Sequence, residues 1–153
     1  HQTPRMTTVN KRIRFHYQTK VFSLRKRTQL KQFIAGLIKK EGHQLDELAC
    51  IFCTDDYLHR INMDHLGHDT LTDIVTFQFN QPGQAIQGEV YVSVERVREN
   101  ATIFGVPYIQ ELHRVIFHGA LHLCGYRDKK PKDKAVMTDR EDFYLGRYCS
   151  TWN

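Results

Sequence analysis

His118 and His122 stand four residues apart in the stretch HGALHLCGYRD, residues 118–128. On an α-helix that spacing puts both imidazoles on one side about one turn apart, within reach of a single metal ion. Gly125 can end such a helix in the left-handed conformation and turn the chain back, which makes Asp128, three residues on, a candidate third ligand. Two imidazoles and one carboxylate leave coordination positions open, the pattern of a catalytic divalent ion and not of a structural one. Zn²⁺ is the expected ion, and a carboxylate, harder than imidazole, also admits Mn²⁺, Ni²⁺ or Fe²⁺. A bare HxxxH arises by chance on solvated helix faces as well. Here Gly119 keeps the space between the histidines clear, and a helix terminator and a further ligand follow in order.

The helix that carries the pair is expected to start near Pro107, a residue suited to a first turn. Leu112, Ile116, Ala120 and Leu123 share one side of it, with Glu111, His118 and His122 roughly opposite. Burial of the apolar side against a sheet would leave the histidines facing a cleft. Three acids are candidates to orient an imidazole or to move a proton: Glu111, and Asp73 and Glu89, each at the start of an apolar strand. A charged residue there also has a plain reading as the strand's wet end.

The remaining elements alternate. Ile13–Tyr17 reads as a strand; a helix capped by Ser23 runs to about Glu41 with the apolar stripe Leu30, Phe33, Ile34 and Leu37. Leu48–Thr54 reads as a second strand and Asp55–Met63 as a helix. Asp73–Phe79 and Gly88–Val94 follow as strands, joined by NQPGQ, which is too short for a crossover helix and so makes them antiparallel neighbours. Val94–Phe104, the histidine helix and Asp133–Tyr148 complete the chain. The expected fold is α/β of the α+β type: one mixed four-stranded sheet with helices packed on it and the metal site on a core helix.

Charge is uneven. Residues 1–40 hold eleven of the 22 Lys and Arg and no Asp or Glu, leaving 11 basic and 17 acidic groups in residues 41–153. Lys11, Arg12 and Arg14 surround the first strand, and Arg25, Lys26, Arg27 and Lys31 are placed on the first helix. Such runs are often only solvated faces. Forty residues without an acid favour a polyanion partner, held through its phosphates without sequence discrimination. The length and the 41% hydrophobic content suit one domain with a real core. No run of eighteen apolar residues and no signal peptide is present, so a soluble cytoplasmic protein without membrane contact is expected. His1–Arg5 precede Met6 and are expected to be a tag remnant, with residues 6–153 forming the single domain. Cys50 and Cys53 have CxxC spacing but lie in ACIFCT, a buried strand, and read as inert apolar thiols.

Residues 118–128 resemble HGxLHLxGYDH, the signature of the YbeY family of bacterial metal-dependent endoribonucleases of ribosomal RNA maturation; nine of eleven positions agree. Arg127 and Asp128 stand where the family has Asp and then His. INMDHLGHDTLTDIVTF, residues 61–77, resembles a second family segment through Asn62, Gly67, Asp69, Thr72, Asp73, Val75 and Phe77. QGEVYVS, residues 87–93, is similar to a third, with Glu89 for Asp. Leu66 replaces the family's Arg before Gly67, and His65, His68 or Arg127 are local substitutes for its charge. The resemblance implies a single-strand-specific endoribonuclease acting at the 3′ end of small-subunit ribosomal RNA, with that RNA and the small subunit as partners. Arg127 joins the amino-terminal cations as an expected RNA contact. Two other readings stand beside it. A non-catalytic ribosome-associated protein with a decayed site is one; a zinc peptidase is the other, weakened because Gly119 stands where HExxH enzymes need a Glu base.

Overall fold

The structure, a computed structural model, describes the backbone at residues 11–19, 24–66 and 72–152, and side chains at all of these except 65, 66 and 150–152. Four strands form one sheet: β1 (Ile13–Tyr17), β2 (Leu45–Cys53), β3 (Ile74–Gln78) and β4 (Ile86–Ser93). Their order is β1-β2-β4-β3, with β1–β2 and β2–β4 parallel and β3–β4 antiparallel. Five helices are described: α1 (Arg27–Lys40), α2 (Asp55–Leu66), α3 (Val94–Phe104), α4 (Tyr108–Leu123) and α5 (Pro131–Trp152). The mixed sheet and the β3–β4 pairing are as the sequence indicates.

Several boundaries move for local reasons. Helix α1 begins at Arg27, behind Lys26 in the left-handed conformation (φ 51°), with no side-chain cap. Arg25 and Lys26 therefore precede the helix instead of riding on it. Ser23 lies outside the described residues. Strand β2 starts at Leu45, because pairing with β4 continues to Leu45↔Ile86. Helix α5 starts at Pro131, which has no N–H to lose at a first position, and runs to Trp152.

The sheet buries both faces unequally. On one, α1, α4 and α5 enclose the main core around Phe52, Val90, Ile34, Leu112, Ile116, Phe117 and Tyr144. On the other, α2 covers a smaller cluster of Cys53, Leu58 and Val75. Cys50 and Cys53 are buried on opposite faces of the sheet, Cys50 in the main core and Cys53 in the smaller cluster, so the CxxC pair is packing; burial pushes both thiols up to about 12.

Helix α4 is central. It is buried on nearly every side, through Leu112, Val115, Ile116, Phe117, Gly119, Ala120, Leu121 and Leu123, where the sequence suggested a single apolar stripe. It runs along β3 and lies close on the sheet: a Cβ at Gly119 would come 2.8 Å from Val90 and 2.9 Å from Ile74. Gly119 is thus the point of contact with the sheet. Gln78 donates to the Leu123 carbonyl at 2.9 Å and ties β3 to the end of α4.

Candidate metal centre

The end of α4 is built by its sequence. Gly125 takes φ +105°, its N–H bonds the His122 carbonyl at 3.0 Å, and the Tyr126 N–H bonds Leu121 at 3.1 Å. This pair of bonds is a Schellman motif, which satisfies the last carbonyls and reverses the chain. The reversal brings the Tyr126 carbonyl back to accept from His122 Nδ1 at 2.9 Å. The Tyr126 hydroxyl donates to Glu41 at 2.7 Å, anchoring the turn to the end of α1. Asp128 follows on this fixed turn.

Both Nε2 atoms, of His118 and of His122, lie 3.2 Å from the same oxygen, Oδ2 of Asp128. Among the described residues these three are the group of His, Cys, Asp or Glu whose ligand atoms all fall within 4.8 Å of one another. Bonds of about 2.0–2.1 Å in a tetrahedron separate neighbouring donors by about 3.3 Å. Two of the three donor separations therefore match a tetrahedral divalent ion, and the group could hold one. Each imidazole also has its Nδ1 engaged, His122 by the Tyr126 carbonyl and His118 by Glu141 Oε2 at 2.5 Å. A proton held on Nδ1 leaves the Nε2 lone pair turned to the cleft.

Glu141, on α5, is the residue the sequence reading missed. It is 7% exposed, and Arg114 holds its other oxygen at 2.9 Å while pairing with Asp142 at 2.6 Å. Burial disfavours the charged form of His118. Glu141, Asp128 and Asp73 together outweigh that and hold its pKa above the usual histidine value.

The other candidates separate. Asp73 precedes β3 and lines the histidine cleft together with Asn62, Thr72 and Lys129. Burial raises its pKa, against the pull of His118 and a 3.4 Å hydrogen bond from Asn100. Glu111 lines an adjoining cavity and is not part of the three-residue group. Glu89 is not brought to the site at all. It lies in mid-strand opposite Phe77, accepts from the Tyr91 hydroxyl at 2.9 Å, and faces α2, because neighbouring Val90 packs against α4 and side chains alternate along a strand.

Of the cations, Lys11, Arg12 and Arg14 lie at β1, the sheet edge opposite the cleft, and Arg12 and Arg14 reach Asp46 and Glu47 at 3.9 Å. Lys31 sits over the Phe15 ring, and burial, with Arg27 nearby, lowers its pKa. Arg25 and Lys26 border a hollow at the start of α4, Arg27 is exposed, and Arg127 points to solvent beside the metal group. Among the described residues, the Lys or Arg that lines the cleft is Lys129. Leu66 and His65 have no described side chains, and 67–71, with Gly67, His68 and Asp69, lie outside the described residues.

Comparison with known proteins agrees with this architecture. The family model for endoribonuclease YbeY matches residues 12–149. Endoribonuclease YbeY of Flavobacterium psychrophilum is 44% identical over 130 residues, 85% of this chain and 91% of that protein. The Flavobacterium johnsoniae protein of the same name is 45% identical, covering 85% and 92%. A solution structure of TM1509 from Thermotoga maritima matches with a TM-score of 0.63 at 28% identity, over 92% of this chain and 91% of that one. With the family match spanning nearly the whole described sheet and all of α4, this chain belongs to the endoribonuclease YbeY family.

Proposed function

We propose that the protein is a metal-dependent endoribonuclease that cuts single-stranded RNA, and that its substrate is ribosomal RNA, at the 3′ end of the small-subunit species, in the cytoplasm. Family membership supports RNA cleavage. The observation that carries metal dependence is the shared 3.2 Å approach of two Nε2 atoms to one Asp128 oxygen, each ring held from behind. A bound divalent ion, for which Zn²⁺ suits the tetrahedral spacing, would supply Lewis acidity to a phosphate oxygen.

The chain's own residues divide the other tasks. Glu141 and the Tyr126 carbonyl fix the two rings, and Asp128 supplies negative charge to the ion. Asp73, half-buried at the cleft wall with a raised pKa, would hold or accept a proton there. Lys129 offers a phosphate a positive charge at the cleft, where Leu66 leaves the chain without the family's arginine. The amino-terminal cations would grip flanking RNA. No described helix is long and apolar enough to cross a membrane.

Elemental analysis of the purified protein, paired with cleavage of a ribosomal RNA fragment with and without chelator, tests this reading. Stoichiometric metal and chelator-sensitive cleavage, both lost in His118→Ala and His122→Ala, are expected. Metal binding without cleavage would favour a non-catalytic RNA-binding protein instead. A peptidase is disfavoured because residue 119 faces the sheet, where Glu has no room.

A further inference from the structure

Beside the histidine cleft lies a cavity of about 530 Å³ between the end of α3, α4, α5 and the start of β3. The two hollows share Asp73, Ile74 and His118, so whatever occupies the second is next to whatever reacts in the first. Its wall combines apolar and acidic groups with Arg114, Gln110 and Thr138. Val106, Val115 and Ile74 form one part, and the Phe104 ring stands at its edge, 62% exposed. Glu111 is a second, more unusual part. It is only 5% exposed, lines the cavity, and its carboxylate makes no hydrogen bond or salt bridge among the described residues. With no protein donor among them, this carboxylate depends on whatever occupies the cavity for its hydrogen bonds, and burial raises its pKa against the pull of Arg114, with Asp73 and Glu141 adding to the rise.

The wall narrows what can enter. A phosphate is repelled by Asp73, Glu111, Glu141 and Asp142, while Arg114 is already engaged by the last two. A second divalent ion is not accommodated, because these acids do not bring their oxygens together as the histidine group does. The fitting guest is neutral, flat, apolar on its faces and rich in N–H donors on one edge. In an RNA substrate that is a base, and guanine is the one whose pairing edge presents two adjacent donors, N1–H and N2–H, to match the two oxygens of a carboxylate. We propose that this cavity is a base-reading subsite in which Glu111 receives a guanine and Phe104 stacks on it, so that the enzyme prefers a guanosine beside the bond it cuts. The proposal rests on the reading of the protein as an endoribonuclease.

The test uses RNA chemistry first. Short uridine-rich RNAs carrying one guanosine, or one inosine that lacks the N2 amine, are bound in chelator, where no cleavage occurs, and followed by fluorescence anisotropy. The protein should bind the guanosine RNA about tenfold or more tightly than the inosine RNA, as expected for loss of half of a bidentate contact at a buried site. In Glu111→Gln the preference should vanish, while Phe104→Ala should weaken both RNAs alike. Equal binding of the two RNAs by the parent protein overturns the proposal; so does a Glu111→Gln variant that keeps the preference or loses affinity for both by the same factor. Because binding is read without metal, cleavage that survives chelation would sink the proposed function alone. Equal guanosine and inosine binding beside chelator-sensitive cleavage would sink only this subsite.

Discussion

At the scale of the residue, the site depends on Asp128 and Glu141 in different ways. If Asp128 is a ligand, Asp128→Asn removes the one negative charge on the ion and should cut metal affinity by more than the roughly 10–100-fold that loss of an outer partner costs. Asp128→His should recover binding and shift preference toward Zn²⁺ over Mn²⁺, since imidazole is the softer donor. Competition titrations against a chelating dye measure both, and unchanged affinity in Asp128→Asn would remove that residue from the site. Glu141→Gln keeps an acceptor opposite His118 Nδ1 but loses its charge. It should lower affinity by about 10–100-fold while the three donors stay in place, and isothermal titration of metal into the apo-protein would show whether it does. Glu141 was in fact legible in part. It interrupts the stripe Met137, Tyr144, Leu145 and Tyr148, all buried on α5, and an acid in the middle of an apolar stripe is either paired or functional. Its partner could not be read, because His118 is 23 residues away on another helix.

At the scale of the element, α4 carries both the chemistry and the packing, and its glycines divide the work. Gly125 closes the Schellman turn that returns Asp128, and this was readable from the HxxxH…G…D spacing. Gly119 was read as clearance between the histidines, but it is the contact with Val90 and Ile74. Gly119→Ala should therefore push α4 from the sheet and destabilise the protein by about 1–3 kcal/mol; denaturant unfolding would reveal a flatter effect if the neighbours can shift. The strands show the same division. Alternation in Val90 and Val92 already implied that Glu89 points the other way, but nothing in the sequence says which face of the sheet receives α4. Tertiary docking decided between Asp73 and Glu89.

At the scale of the whole molecule, the described cations that the sequence singles out in the first quarter of the chain are spread along a sheet edge, α1 and the start of α4, and none of them lines the cleft. Neutralising Arg25, Lys26 and Arg27 together should thus weaken binding of unrelated RNAs by similar factors and lower the salt slope by about two, the value for three phosphate contacts to a single strand. An unchanged slope would mark them as a solvated face. Stability has its own pH dependence through His113, which lies against Phe117 and Tyr148, with Arg25 and Lys26 at the same hollow. Burial lowers its pKa from 6.5 to about 4. Between those values the unfolded chain binds the proton and the folded one does not, so this contribution is complete above about pH 6.5 and is lost as pH falls toward 4. At about 1.4 kcal/mol per unit it is worth at most about 3 kcal/mol. Subtracting the stability curve of His113→Phe from that of the parent isolates it, and a difference that stays flat across the window would show that His113 titrates normally.

The three donors of the candidate metal centre belong to eleven consecutive residues, whereas the groups that steady them arrive from far along the chain: Glu141 from α5 and Glu41 from the end of α1, 85 residues from Tyr126. The order of assembly follows. Nucleating α4 and its terminal turn needs only local contacts and short loop closure, so the donor set can form early in folding. Its accuracy comes late, when α5 and α1 dock. An ion met during synthesis would encounter a site with the right atoms but loosely aimed rings, and selectivity among divalent ions would be acquired only as the last helices close around it.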